Sequence, residues 1–73
     1  LSGTAVIRIF QDFGFKVVSR KGSHVKLRRF TFENEKQTIV IPVHDELDKG
    51  TLRAIYNQST RFISESELKK FFY

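Results

Sequence analysis

Apolar residues recur at helical spacing at the start of the chain and then alternate with polar ones. Val6, Ile9, Phe10 and Phe13 share one face of a helix predicted over residues 3–13. Ser2 or Thr4 suits its start, and Gly14 suits the left-handed position after its end. Three strand-like runs follow, over residues 15–20, 24–32 and 37–43. Lys21-Gly22 marks the first turn, and the polar gap Glu33-Asn34-Glu35-Lys36 marks the second. A second helix is expected over residues 51–58, after Asp48-Lys49-Gly50, with Leu52, Ile55 and Tyr56 as its apolar stripe. A third begins near Ser64. There Ser64 and Glu67 have capping-box spacing, and Ile63 and Leu68 sit at the staple positions. The order α-β-β-β-α-α predicts an α+β fold: a single three-stranded antiparallel sheet with the helices packed on one face.

Alternation sorts the strand residues into two faces. Val25 and Leu27 point one way, and His24, Lys26, Arg28 and Phe30 the other. Ile39, Ile41 and Val43 form the matching apolar set in the third strand. Centring the second turn on Asn34 would pair Val25 with Val43, Leu27 with Ile41 and His24 with His44. A shift of two residues keeps the same faces and separates the histidines. A three-residue first loop would set Arg20 across from His24, whereas a two-residue loop would not. Pro42 cannot donate to a ladder, so it favours an edge strand or a strand end.

The chain has 73 residues and reads as one domain spanning residues 1–73. Its eight Phe are more than a core this small needs, so some have another role. It has no cysteine, which fits a reducing, cytoplasmic setting. No run approaches the roughly 20 apolar residues that span a bilayer, and no signal peptide is visible. The chain starts at Leu1 without Met, so its natural N-terminus is expected to be missing or processed.

The formal net charge is +5, and its distribution is uneven. Between Phe13 and Phe32 there are six Lys or Arg and no Asp or Glu. Arg20-Lys21-Gly22-Ser23-His24 lies within that stretch. A histidine that can move protons near neutral pH therefore sits in a field suited to a polyanion, and RNA is the obvious one. An acidic protein would also answer such a field. Two His with no Cys and no helical His–carboxylate pair do not make a zinc site. Asp45, Glu46 and Asp48 lack calcium-loop spacing. No Gly-rich nucleotide cradle and no serine or cysteine nucleophile set is present. No metal and no cofactor are expected.

Four short motifs follow in order: Gly14-Phe15, Lys21-Gly22-Ser23-His24, Pro42-Val43-His44 and Gly50-Thr51-Leu52-Arg53. Together they resemble the HicA family of toxin–antitoxin toxins, over about residues 3–58. The resemblance implies a double-stranded-RNA-binding-domain-like fold and a metal-independent endoribonuclease, an mRNA interferase. It implies that His24 is catalytic and that a HicB-type antitoxin covers its face. Val25 stands where many relatives carry a second His, and Asp45, Glu46 and Asp48 make the loop after His44 unusually acidic.

By residue type alone, His24 reads either as a surface histidine beside a turn or as a general base. Its basic neighbours, its strand phase and the family pattern favour the base. His44 reads as a strand-end residue or as the complementary acid. Gly22 and Ser23 read as positioning residues of the turn, with Ser23 able to donate to a phosphate. Arg20, Lys21, Lys26 and Arg28 are the expected phosphate contacts. Phe30 or Phe32 suits either base stacking or core or edge packing. The alternative function is a non-catalytic RNA-binding module of the same fold.

Overall fold

The computed structural model describes all residues, Leu1–Tyr73. The elements are α1 (Gly3–Asp12), β1 (Lys16–Lys21), β2 (His24–Phe30), β3 (Lys36–Pro42), α2 (Lys49–Ser59) and α3 (Glu65–Phe72). This is the expected α+β order, with one antiparallel sheet in the order β1-β2-β3. Pro42 lies at the end of an edge strand, where its missing N–H removes no interior ladder bond.

Both ends of α1 follow from its sequence. The Ser2 hydroxyl accepts the Ala5 N–H at 3.0 Å. At the other end Gly14 takes φ +94°. Its N–H donates to the Gln11 carbonyl at 2.9 Å, and the Phe15 N–H donates to the Phe10 carbonyl at 3.0 Å. These are the two bonds of a Schellman motif. Its hydrophobic contact is the edge-to-face pair Phe10–Phe15, with ring centroids 5.7 Å apart. Gly3 packs so closely on the end of β3 that a Cβ there would lie 2.1 Å from the Pro42 carbonyl oxygen.

Val25, Leu27, Ile39 and Ile41 point from the sheet into the helices. They join Val6, Phe10, Phe15, Leu47, Ile55, Tyr56, Ile63 and Leu68 in one core. Six of the eight phenylalanines, Phe10, Phe13, Phe15, Phe62, Phe71 and Phe72, pack ring against ring around it. Ser64 occupies the N-cap position of α3 as predicted, but the capping box does not form. Its hydroxyl donates to the Glu67 carboxylate at 3.0 Å and makes no bond to a backbone N–H. The staple residues Ile63 and Leu68 are both buried in the core.

The register of the second hairpin corrects one expectation. Val25 pairs with Ile41, Leu27 with Ile39 and His24 with Pro42, so His24 and His44 do not oppose each other. The turn closes one residue earlier than Asn34. The Thr31 carbonyl accepts the Asn34 N–H at 2.9 Å, Asn34 takes φ +65°, and the Thr31 N–H donates to the Glu35 carbonyl at 3.0 Å. That is a three-residue loop over Phe32, Glu33 and Asn34, with the left-handed position filled by a residue that tolerates it.

Candidate nucleic-acid interface

The first hairpin turns through Gly22-Ser23, with Gly22 at φ +60°, as a two-residue loop allows. Lys21 and His24 are therefore direct partners across the turn. Further along, the register shifts at a bulge between Val17 and Ser19. Lys16 and Lys21 are five residues apart, so a regular strand would put them on opposite faces. The bulge brings Lys16 across from Arg28 while Lys21 stays across from His24.

The sheet face turned away from the helices is thus built in rows. Lys21, His24 and Pro42 form the first, Ser19, Lys26 and Val40 the second, and Lys16, Arg28 and Thr38 the third. Phe30 and Lys36 form the last. No Asp or Glu occupies this face, and none of its cations enters an ion pair. His24 and Lys26 are exposed; Arg28 is half-buried, and its Nε is a buried donor with no hydrogen-bond partner. A buried donor without a partner carries a desolvation cost that an incoming anion would relieve.

The predicted site residues separate into three groups. Lys21, His24, Lys26 and Arg28 share the open face. Gly22 and Ser23 form the turn, and the Ser23 carbonyl accepts the Val43 N–H at 2.6 Å, tying the turn to the chain beyond β3. Arg20 pairs with Val25, which points to the helices, and its Nε donates back to the Gly22 carbonyl at 3.0 Å. Arg20 therefore braces the turn from the other side. Lys16 and Lys36 join the face unannounced, because their places depend on the bulge and on the second loop.

His44 lies beyond β3, exposed, where its carbonyl accepts the Gly3 N–H at 2.9 Å. At the start of α2 the Thr51 N–H donates to Asp48 Oδ1 at 2.7 Å and lowers that carboxyl below its ordinary value, with His44 nearby as the smallest contributor. Away from the sheet face, burial and then the Glu65 charge hold the Tyr56 phenol above its ordinary value.

The molecule's three hollows lie elsewhere. One is lined by Arg29–Phe32, one by Lys49, Leu52, Arg53, Phe72 and Tyr73, and one by Arg53, Tyr56, Asn57, Glu65, Lys69 and Tyr73. None includes His24. Small-molecule sites are concave; a flat, acid-free, basic face with an exposed imidazole suits an extended polyanion. No group of three or more His, Asp or Glu side chains comes together as metal ligands would.

The family described as the HicA toxin of bacterial toxin–antitoxin systems matches residues 3–60, from α1 through all three strands to the end of α2. The chain belongs to the HicA toxin family. It is a toxin of a toxin–antitoxin system, and an antitoxin is the partner that such a system implies. No curated protein and no solved structure matches it. No helix of this HicA-family chain is long and apolar enough to cross a membrane.

Proposed function

We propose that this HicA-family toxin is an endoribonuclease that cleaves mRNA in the cytoplasm, with His24 as its general base and without a bound metal. The observation that carries this reading is the place of His24: exposed, directly opposite Lys21, in line with Lys26 and Arg28, on a sheet face without a single acid. His24 takes the proton of a ribose 2′-hydroxyl. The 2′-oxygen bonds to the adjacent phosphorus, and the bond from phosphorus to the 5′-oxygen breaks. That oxygen takes up a proton from solvent, leaving a 2′,3′-cyclic phosphate and a free 5′-hydroxyl. Lys21 and Lys26 offset the charge that grows on the phosphoryl oxygens. DNA resists, because it lacks the 2′-hydroxyl.

The same face is the natural target of a HicB-type antitoxin. A partner presenting carboxylates would pair with cations that have no acid of their own, and it would cover His24. A complex in which His24 stays open to RNA would refute masking.

The deciding experiment is cleavage of mixed-sequence RNA by the parent and by His24→Ala, with a chelator in both. The expected result is cleavage by the parent despite the chelator, and a rate about 10²–10⁴-fold lower in the variant with RNA binding retained. Binding without cleavage in either protein would reduce the function to a non-catalytic RNA-binding module.

A further inference from the structure

Two of the eight phenylalanines have no ring partner. Phe30 is 54% exposed and ends the open-face row that begins at His24, while Phe32 is fully exposed in the β2–β3 loop. With Arg29 and Thr31 they line a shallow hollow. The loop that presents Phe32 is held in place, since the Thr31 hydroxyl accepts the Glu35 N–H at 3.1 Å in addition to the backbone bonds of the turn. A fully exposed ring such as Phe32 gains almost nothing for the fold, and this pair sits at one end of the basic face.

We propose that Phe30 and Phe32 form a stacking subsite for one unpaired nucleobase of the RNA that runs over His24, Lys26 and Arg28. This rests on the RNase reading and adds to it a requirement for single-stranded RNA at a set distance from the cut. Charge argues for a nucleic acid over a protein side chain as the occupant. Lys26 and Arg28 lead along β2 to the rings, and Lys36 lies directly across from Phe30. Immediately beyond, Glu33 and Glu35 are exposed in the turn. An RNA backbone can follow Lys26, Arg28 and Lys36 as far as that acidic edge, and a neutral base is the part of it that belongs against the rings. Stacking suits every base, so the subsite sets strand state and length more than sequence.

The row also gives a length. His24 and Phe30 are six residues apart on β2, about 20 Å at the rise of a strand. A stacked single strand would need roughly six nucleotides to cover that distance at about 3.4 Å each, and an unstacked one fewer. A dinucleotide cut at His24 does not reach the rings.

The test uses a single-stranded RNA of about ten nucleotides carrying 2-aminopurine, bound to His24→Ala protein so that it is not cut. Phe30→Leu/Phe32→Ser in that background should raise Kd by about 5- to 150-fold. It should also remove the quenching of 2-aminopurine and leave the salt dependence of binding unchanged. In the cleaving protein the same pair should slow cutting of the longer RNA and leave a dinucleotide substrate unaffected. Phe32→Ser alone, at a fully exposed position, serves as the second variant if Phe30→Leu disturbs the sheet. Unchanged affinity and quenching in both variants would overturn the subsite while leaving the RNase reading intact. Lost binding to the antitoxin alone would assign the rings to that protein instead. A parent chain that neither binds nor cuts RNA would sink both readings together.

Discussion

Arg29 lies over the ring of Phe15, with its guanidinium carbon 4.8 Å from the ring centroid. Its Nε donates to the Gln37 side-chain oxygen at 2.7 Å, Nη1 to the Phe13 carbonyl at 2.8 Å and Nη2 to the Phe62 carbonyl at 3.2 Å. One guanidinium thus joins the end of α1, the neighbouring strand and the loop between α2 and α3. Arg29 is next to Arg28 in sequence, yet it works on the opposite side of the sheet.

Replacing Arg29 should therefore change stability and leave the phosphate contacts of the open face alone. Lysine cannot reproduce a planar fork with three acceptors and a ring beneath it. Arg29→Lys should cost on the order of 2 kcal/mol, which lowers Tm by about 10 °C in a domain of this size. Thermal melts read the first effect, and the salt dependence of RNA binding, expected to be unchanged, reads the second. A large fall in the salt slope with an unchanged Tm would move Arg29 onto the RNA face.

The opposite pattern is expected for the open-face cations. Lys26→Gln should reduce the slope of log K against log salt by about 0.7 for single-stranded RNA. Lys21→Gln should do the same. Arg20→Gln should leave the slope nearly as it was, because the Arg20 side chain is bonded back to Gly22 on the other side of the hairpin. Equal slopes for Lys26→Gln and the parent would mean that the strand is not bound along this row.

Much of this was legible in the sequence, and the reason is parity. Side chains alternate along a strand, so Val25 and Leu27 had to face the core while His24, Lys26, Arg28 and Phe30 faced away. Gly14 and Ser64 were legible because a left-handed position and an N-cap are local demands. The register of β2 with β3 was not, because a slip of two residues keeps every side chain on its face. Pro42 stands where His44 was expected only because the Phe32–Asn34 turn is tighter than the polar gap suggests. The bulge that carries Lys16 to the open face leaves no parity signal either. Parity puts Arg29 on the side of Val25 and Leu27, but its role there was not legible, since its partners include a carbonyl 33 residues away.

Gly3 makes a prediction about how the His24 end of the sheet is held. Its N–H donates to the His44 carbonyl at 2.9 Å, and a Cβ would meet Pro42 oxygen at 2.1 Å and Val43 Cα at 2.8 Å. Both are backbone atoms that cannot rotate away. Gly3→Ala should therefore destabilise by about 1–3 kcal/mol through overpacking, despite the better helix propensity of alanine. Denaturant unfolding measures it; a variant as stable as the parent would show that α1 does not need this close approach.

Asp48 gives a pH dependence with a definite sign. The Thr51 N–H bonds its carboxylate and lowers its titration below the ordinary 3.8. A group depressed on folding adds stability that is fully present above the unfolded value and is lost as pH falls through the folded one. The parent should therefore melt higher than Asp48→Asn at neutral pH, since asparagine keeps the cap and removes the charge. That difference should shrink below about pH 4 and vanish in stronger acid. A gap independent of pH would mean that the charge of Asp48 contributes nothing to α2.

His44 tests whether the register governs the chemistry. With His24 opposite Pro42, His44 falls two residues past the pair and off the end of β3, where its backbone is tied to Gly3. A complementary acid must reach the leaving oxygen while His24 reaches the 2′-hydroxyl of the same nucleotide. The observed pairing does not bring the two imidazoles together across the strands. His44→Gln should then cut RNA at a rate within about twofold of the parent, against the loss of about 10²–10⁴-fold for His24→Ala. Single-turnover cleavage at saturating protein compares the chemical step in both without interference from binding. A His44→Gln rate as low as that of His24→Ala would require the loop after β3 to fold back over the open face when RNA is bound, and the two histidines would then share the proton transfers.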